Sequence, residues 1–139
     1  MSSTAIVFFT LVNILNYLDR YILAACLPSV AASLDLSHVQ SGFLFSAFVP
    51  GYVLFAPLFG YLGDRFPRPR LMASGVAIWS LATLATALAP DFWSFAIARV
   101  MVGIGEASFG TIAPGYFKDR IQDPVKVNSA MSLFFCAIP

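Results

Sequence analysis

Charge is scarce in this sequence. Asp, Glu, Lys and Arg together make up 11% of its 139 residues, where an ordinary soluble domain carries about 25%. A chain so short of polar surface cannot cover itself in water, which excludes a soluble globular domain. Eight Lys and Arg stand against seven Asp and Glu, and that near balance excludes the basic patch on which nucleic-acid binding depends. Histidine occurs once, as His38, and cysteine twice, as Cys26 and Cys136. Neither a disulfide framework nor a metal-ligand spacing can be built from so few, so no metal and no cofactor is expected. An intramembrane enzyme is poorly served as well, since it needs a nucleophile and a base facing one another. His38 stands beside Asp35 and Ser37 at a loop edge, where a solvated cap is its expected role. Both cysteines fall in apolar stretches and are expected to be buried as small hydrophobes.

Apolar residues, by contrast, make up 59% of the chain. A membrane-spanning helix needs about 20 mostly apolar residues, and four stretches qualify: 5–32, 41–62, 71–89 and 92–117. A fifth, 127–139, is too short to span. The expected fold class is therefore an all-α integral membrane protein, crossing the bilayer several times. The first stretch has no basic leader, exceeds a normal signal-peptide core and carries Asp19 and Arg20 in its middle, so it is expected to stay in the protein. The interrupted fifth stretch suggests a piece of a longer protein; the alternative is a small membrane protein with a re-entrant fifth segment.

The connections sort by charge. Residues 64–70, between the second and third stretches, hold Asp64, Arg65, Arg68 and Arg70, which is four of the fifteen charged residues. Residues 118–126 hold Lys118, Arg120 and Lys126, whereas the turns at 35–38 and 90–91 hold no Lys or Arg. All six loop cations thus fall on one side, which the positive-inside rule makes the cytoplasm, together with the N-terminus. Asp64 is expected either to cap the third helix or to pair with Arg65, or else to latch a gate with its arginines. Pro67 and Pro69 suit a stiff turn.

Four charges lie inside the apolar stretches: Asp19, Arg20, Arg99 and Glu106. An ionisable group at the centre of a membrane helix costs about 2.5–3.5 kcal/mol, so such groups face a bundle interior or a watery path. Asn13, Asn16, Tyr17 and Arg20 recur at i, i+3, i+4 and i+7, a single polar stripe with Asp19 on its edge. Arg99, Gly103 and Glu106 share one face of the fourth helix in the same way, and Gly103, Gly105 and Gly110 thin that helix for close packing. Two readings stand side by side. The charges form interhelical pairs, Asp19–Arg99 or Arg20–Glu106, that hold the bundle together. Alternatively the acids bind and release protons.

The segment Gly60-Tyr-Leu-Gly-Asp-Arg65 with Arg68 and Arg70 resembles the signature loop of the major facilitator superfamily, departing from it at Pro67 and near Pro69. Asn16-Tyr-Leu-Asp-Arg20, Arg99-x-x-x-Gly-x-Gly-Glu-Ala-Ser108 and Thr111-Ile-Ala-Pro114 together resemble the spinster family of lipid and lysolipid transporters, over nearly the whole chain. The resemblance implies twelve helices in two halves, each of inverted three-helix repeats with the substrate site between halves. This chain would supply helices 1–4 and part of helix 5 of the N-terminal six-helix half, and the C-terminal half would be its missing partner. It further implies proton coupling at Asp19 and Glu106, with Arg20, Arg99, Asn16 and Tyr17 as charge partners or substrate contacts. Gly60, Gly63, Asp64, Arg65, Arg68 and Arg70 would form a gating loop. The implied function is proton-coupled secondary transport of a lipid-like or amphipathic anionic small molecule across the plasma or bacterial inner membrane, in contact with membrane lipid. Another cargo (sugar, drug or organic anion) and a small non-transporting subunit remain as alternatives.

Overall fold

The computed structural model describes residues 3–137. They form six helices: α1 Ser3–Ser33, α2 His38–Ser46, α3 Phe48–Arg65, α4 Arg68–Ala87, α5 Phe92–Arg120 and α6 Pro124–Phe135. Four stretches are long and apolar enough to cross a membrane: α1, α2 with α3 taken together, α4 and α5. α6 has 12 residues, and the last two residues of the expected fifth segment lie outside the described ones.

The helices are longer at their polar ends than the apolar runs suggest, and this relocates several side chains. Arg68 and Arg70 belong to the first turn of α4, with Pro67 at the N-cap position and Pro69 in the first turn. Proline fits there because the first-turn N–H groups have no helical partner to lose. Asp64 and Arg65 close α3, so the connection shrinks to residues 66–67, and Asp64 does not cap the next helix. Lys118 and Arg120 sit in the last turn of α5, where cations complement the helix dipole, and Lys126 lies on α6. His38 is a helical residue and not the cap: Ser37 takes that role, accepting from the Gln40 amide while the Gln40 side chain accepts from the Ser37 amide.

The second span is broken at Ala47. Pro50 has no N–H to offer the Ser46 carbonyl, so the helical ladder fails there. The Ser46 hydroxyl instead donates back to the Gly42 and Phe43 carbonyls at 3.1 and 3.2 Å, a pattern that bends helices. In the turn after α1, Asp35 adopts φ 51°, and the Leu36 amide donates to the Ala31 carbonyl at 2.9 Å. This left-handed closure satisfies carbonyls that the helix end leaves open.

α5 is the centre of the bundle and packs most extensively on α4 and α3. The approach is close enough that backbone meets backbone. A Cβ on Gly103 would strike the Phe48 carbonyl, and one on Gly105 would lie 2.6 Å from both the Gly75 oxygen and the Trp79 nitrogen. A cluster around Phe59, Met72, Phe109, Phe117 and Phe134 fills one end of the core. Outward faces stay apolar, with Phe8, Leu15, Leu54, Leu81 and Ile97 all well exposed, as a lipid environment demands. The same environment overturns the expectation for cysteine: Cys26 and Cys136 are both exposed. In a membrane bundle an apolar position need not be a core position, because lipid accepts it equally well.

α5 begins at Asp91, whose carboxylate accepts the Trp93 and Ser94 amides, both at 2.9 Å. The Ser94 amide above all, joined by the Ser94 hydroxyl and the Trp93 amide, holds the Asp91 carboxyl below the usual carboxylate range. A carboxyl depressed by folding stabilises the fold above its unfolded pKa, and that contribution is lost as pH falls through the folded one. Thermal unfolding of Asp91→Asn is therefore expected to show a shallower loss of stability on acidification than the parent. Parallel pH profiles would remove the cap from the account.

Candidate functional site

The polar stripe of α1 faces α5. The Arg20 Nη2 donates to Glu106 Oε2 at 2.5 Å, and the Arg99 Nη1 donates to Asp19 Oδ2 at 3.2 Å. Both interhelical pairs therefore form, each joining α1 to α5. Arg99 and Glu106 are seven residues apart on α5, about 10 Å along its axis, whereas Asp19 and Arg20 are neighbours on α1. The long arginine side chains span that mismatch. The Glu106 side chain has no exposure, Arg99 keeps 2%, Asp19 15% and Arg20 25%, so the most deeply buried acid is held by the more accessible cation.

Aromatic rings complete the cation environment. The Arg20 guanidinium carbon lies 5.0 Å from the Tyr17 ring centre and 4.5 Å from that of Phe48, and Arg99 approaches the same Phe48 ring at 5.9 Å. Such contacts contribute about 0.5–1 kcal/mol when exposed and about 2 kcal/mol or more when desolvated. Phe48 opens α3 directly after the break at Ala47, which is what turns its ring toward both cations.

Asn13, Asn16, Tyr17, Arg20 and Glu106 line one cavity of about 60 Å³, closed by Tyr52 of α3, Phe109 and Gly110 of α5, and Phe134 and Phe135 of α6. A Cβ on Gly110 would stand 2.9 Å from the Tyr52 hydroxyl, so the missing side chain leaves that hydroxyl its place. Asn13 is buried and its Nδ2 donates to the Phe134 carbonyl at 2.9 Å, tying α1 to α6. Among the described residues, Glu106 Oε1 and Arg20 Nε have no hydrogen-bond partner. An unsatisfied buried polar atom is costly, and here the two supply an acceptor and a donor beside the cavity.

The 64–70 cluster lies elsewhere, at the end shared by the α3–α4 turn and the C-terminus of α5. Arg68 is its centre: Nε donates to the Gly63 carbonyl at 3.0 Å, Nη2 to Asp64 at 3.1 Å and Nη1 to Asp119 at 2.6 Å. Asp64 thus pairs with Arg68, one helical turn on, and not with Arg65, which instead stacks over Tyr61 at 4.4 Å. Arg70 is exposed, and Gly60 faces the Thr111 side chain. The forked guanidinium serves two carboxylates and a carbonyl from three separate nitrogens, a spread that a single ammonium nitrogen does not have. Arg68→Ala is expected to cost about 1–2 kcal/mol, since the acids are exposed and solvent weakens each pair. Arg68→Lys should recover less than half of that loss. Unfolding midpoints equal to the parent in both variants would show that the cluster holds nothing.

Asp119, Phe48 and Tyr52 were not among the residues singled out from sequence. Asp119 sits between two cations, Lys118 and Arg120, where its own neighbourhood suggests local pairing. Phe48 and Tyr52 are spaced i, i+4 on either side of Pro50, and that spacing was the available signal.

Helices that are apolar outside and carry two ion pairs inside define a multi-pass membrane protein that keeps ionised side chains within the bilayer. The chain belongs to the major facilitator superfamily, whose family model matches residues 9–139, and within it the chain is spinster-like. It is 40% identical over 130 residues to Protein spinster homolog 1 of Homo sapiens, covering 92% of this chain and 24% of that protein. Protein spinster of Drosophila melanogaster is 42% identical over 128 residues, at 92% and 21% coverage. The Sphingosine-1-phosphate transporter SPNS2 of Xenopus tropicalis is 39% identical over 129 residues, at 91% and 25%. The chain therefore spans about a quarter of the length of these relatives. A bacterial homolog to the human lysosomal transporter Spinster, solved by crystallography in an inward-facing and occupied conformation, matches with a TM-score of 0.91 at 27% identity, over 98% of this chain and 29% of that one.

Proposed function

We propose that residues 1–139 are the truncated N-terminal half of a proton-coupled secondary transporter that moves a lipid-like or amphipathic anionic small molecule. The observation that carries this reading is the Arg20–Glu106 pair at the wall of a polar cavity, with a second pair behind it. The bilayer penalises unpaired charge, so a change at one member of the pair must be felt by the other. A proton taken up by Glu106 removes the anion that holds Arg20 and frees its guanidinium for an anionic headgroup. Departure of the headgroup and of the proton restores the pair. Asp19 and Arg99 act as the second acid and its counter-ion, while Asn16 and Tyr17 contribute polar contacts at the cavity. The name of one relative, a sphingosine-1-phosphate transporter, supports a cargo with a charged head and an apolar tail.

The six cations at the ends of α3, α4, α5 and α6 support a reading in which that face, and the N-terminus, are cytoplasmic. There Asp64, Arg65, Arg68 and Arg70, with Gly60 and Gly63 at the close of α3, form a latch for one gate state. The test is flux in proteoliposomes holding the complete protein, with a lysophospholipid or sphingoid phosphate as cargo. A pH gradient of the correct sign is expected to drive accumulation, and a protonophore to abolish it. Accumulation that ignores the gradient would overturn the coupling, and no flux of any amphiphilic anion would overturn the cargo class.

A further inference from the structure

The start of α3 is seated on the turn of α5 that separates the two buried charges. A Cβ on Gly51 would strike the Val100 carbonyl, and one on Gly103 would strike the Phe48 carbonyl and stand 2.9 Å from the Tyr52 nitrogen. Val100 and Gly103 lie between Arg99 and Glu106. The backbone that carries Phe48 thus rests directly on the α5 backbone, with no side chain between them to give. Its ring is a fixed post, and two guanidiniums are set against it: Arg20 of α1 at 4.5 Å and Arg99 of α5 at 5.9 Å.

Two contacts hold Arg20 to other helices, and they differ in kind. The Glu106 carboxylate holds it by charge at 2.5 Å and lets go on taking up a proton. The Phe48 ring holds it by the negative face of its π-system, which no proton changes. A third contact, the Tyr17 ring at 5.0 Å, lies on α1 itself and travels with Arg20. Of the other charged groups nearby, Asp19 on α1 and Arg99 on α5 are paired with one another. From α3 comes the Tyr52 hydroxyl, and α6 contributes only phenylalanines to the cavity wall.

We propose that Phe48 is the positioning residue for Arg20: once Glu106 is neutral, the ring retains the guanidinium at the cavity wall and presents it to the anionic head of the cargo. A cation released inside a bilayer otherwise seeks another acid, and the other acid buried in the bundle is Asp19, which Arg99 already holds. Retention on the ring therefore also keeps the two pairs from exchanging partners. The role in cargo binding rests on the proposed function. The hold of Phe48 on Arg20 does not.

The test uses the complete protein, with Glu106→Gln standing for the protonated acid. Phe48→Leu keeps an apolar side chain and removes the ring. In the Glu106→Gln background it should lower the unfolding midpoint in detergent by more than it does in the Arg20→Gln, Glu106→Gln background. The gap should be about 1 °C or more, because only the first background sets a cation from α1 against the ring. Phe48→Met, a more flexible filler, should open the same gap. Equal losses in the two backgrounds would overturn the proposal, since the ring would then serve packing alone. In proteoliposomes with a lysophospholipid as cargo, Phe48→Leu alone should raise KM about three- to thirtyfold and leave kcat within about twofold of the parent. A fall in kcat at the parent KM would overturn the positioning role. The midpoint comparison needs neither cargo nor gradient. A gap found in a protein that moves no amphiphilic anion would therefore uphold the Phe48 contact and defeat the transport reading instead.

Discussion

Glu106→Gln is expected to abolish proton-driven accumulation in the complete protein while leaving some downhill exchange of cargo. Glutamine keeps the size and the hydrogen-bonding oxygen of the protonated acid but can neither lose a proton nor hold Arg20 as a counter-ion. Removing one partner of a buried pair costs about 3–5 kcal/mol, and the 25% exposure of Arg20 puts this case toward the lower end. A fall in activity alone would therefore not separate coupling from folding. The double variant Arg20→Gln, Glu106→Gln makes that separation, because it removes both charges at once. It should regain most of the lost thermal stability and still fail to accumulate cargo against a gradient. Asp19→Asn should weaken coupling through the second pair, with Arg99 then left unpaired. Gradient-driven uptake at the parent rate in Glu106→Gln and Asp19→Asn would reduce all four charges to bundle packing.

Gly105→Leu should prevent assembly of the bundle. A Cβ at this position would already lie 2.6 Å from the Gly75 oxygen and the Trp79 nitrogen, and backbone cannot swing aside as a flexible side chain can. Relieving the clash requires α4 and α5 to part along much of their contact. Overpacking of ordinary cores costs about 1–3 kcal/mol, and a clash against backbone belongs at or above the top of that range. The unfolding midpoint in detergent should drop by about 10 °C or more, or the protein should fail to accumulate. Gly42→Leu is the matched control, because a Cβ there meets nothing within 4 Å. Equal midpoints for the two variants would mean that the α4–α5 approach is looser than described.

The spans and both ion pairs were legible because each follows from a local rule. Apolar length marks a membrane helix, and charges placed three or four residues apart share a face. Asp19–Arg99 and Arg20–Glu106 were the two pairings that the α1 and α5 stripes allowed. What escaped depends on which helices are neighbours. Asp119 reaches Arg68 across 51 residues of sequence, and nothing in the 118–126 segment says that the end of α5 stands beside the start of α4. Phe48 lies between two cations beside a helix break that Pro50, two residues further on, imposes by leaving the Ser46 carbonyl unpaired, a tertiary outcome that a hydropathy window passes over. The cysteines were misplaced for a related reason: apolarity reports the bilayer and the core alike, and only the packing tells them apart.

Asp19, Arg20, Arg99 and Glu106 bring two positive and two negative charges into the membrane. With all four ionised their sum is zero, so the transmembrane voltage does no net work when the group shifts as a unit. Neutralising one acid, by a proton or by substitution, leaves a single positive charge, which responds to the field by up to about 2.3 kcal/mol per 100 mV. The proposed anionic cargo, bound at Arg20, would cancel that charge again. Movement of the bundle should accordingly be voltage-independent when it is empty and unprotonated, voltage-dependent when it holds a proton alone, and electrically silent once more when proton and anion travel together.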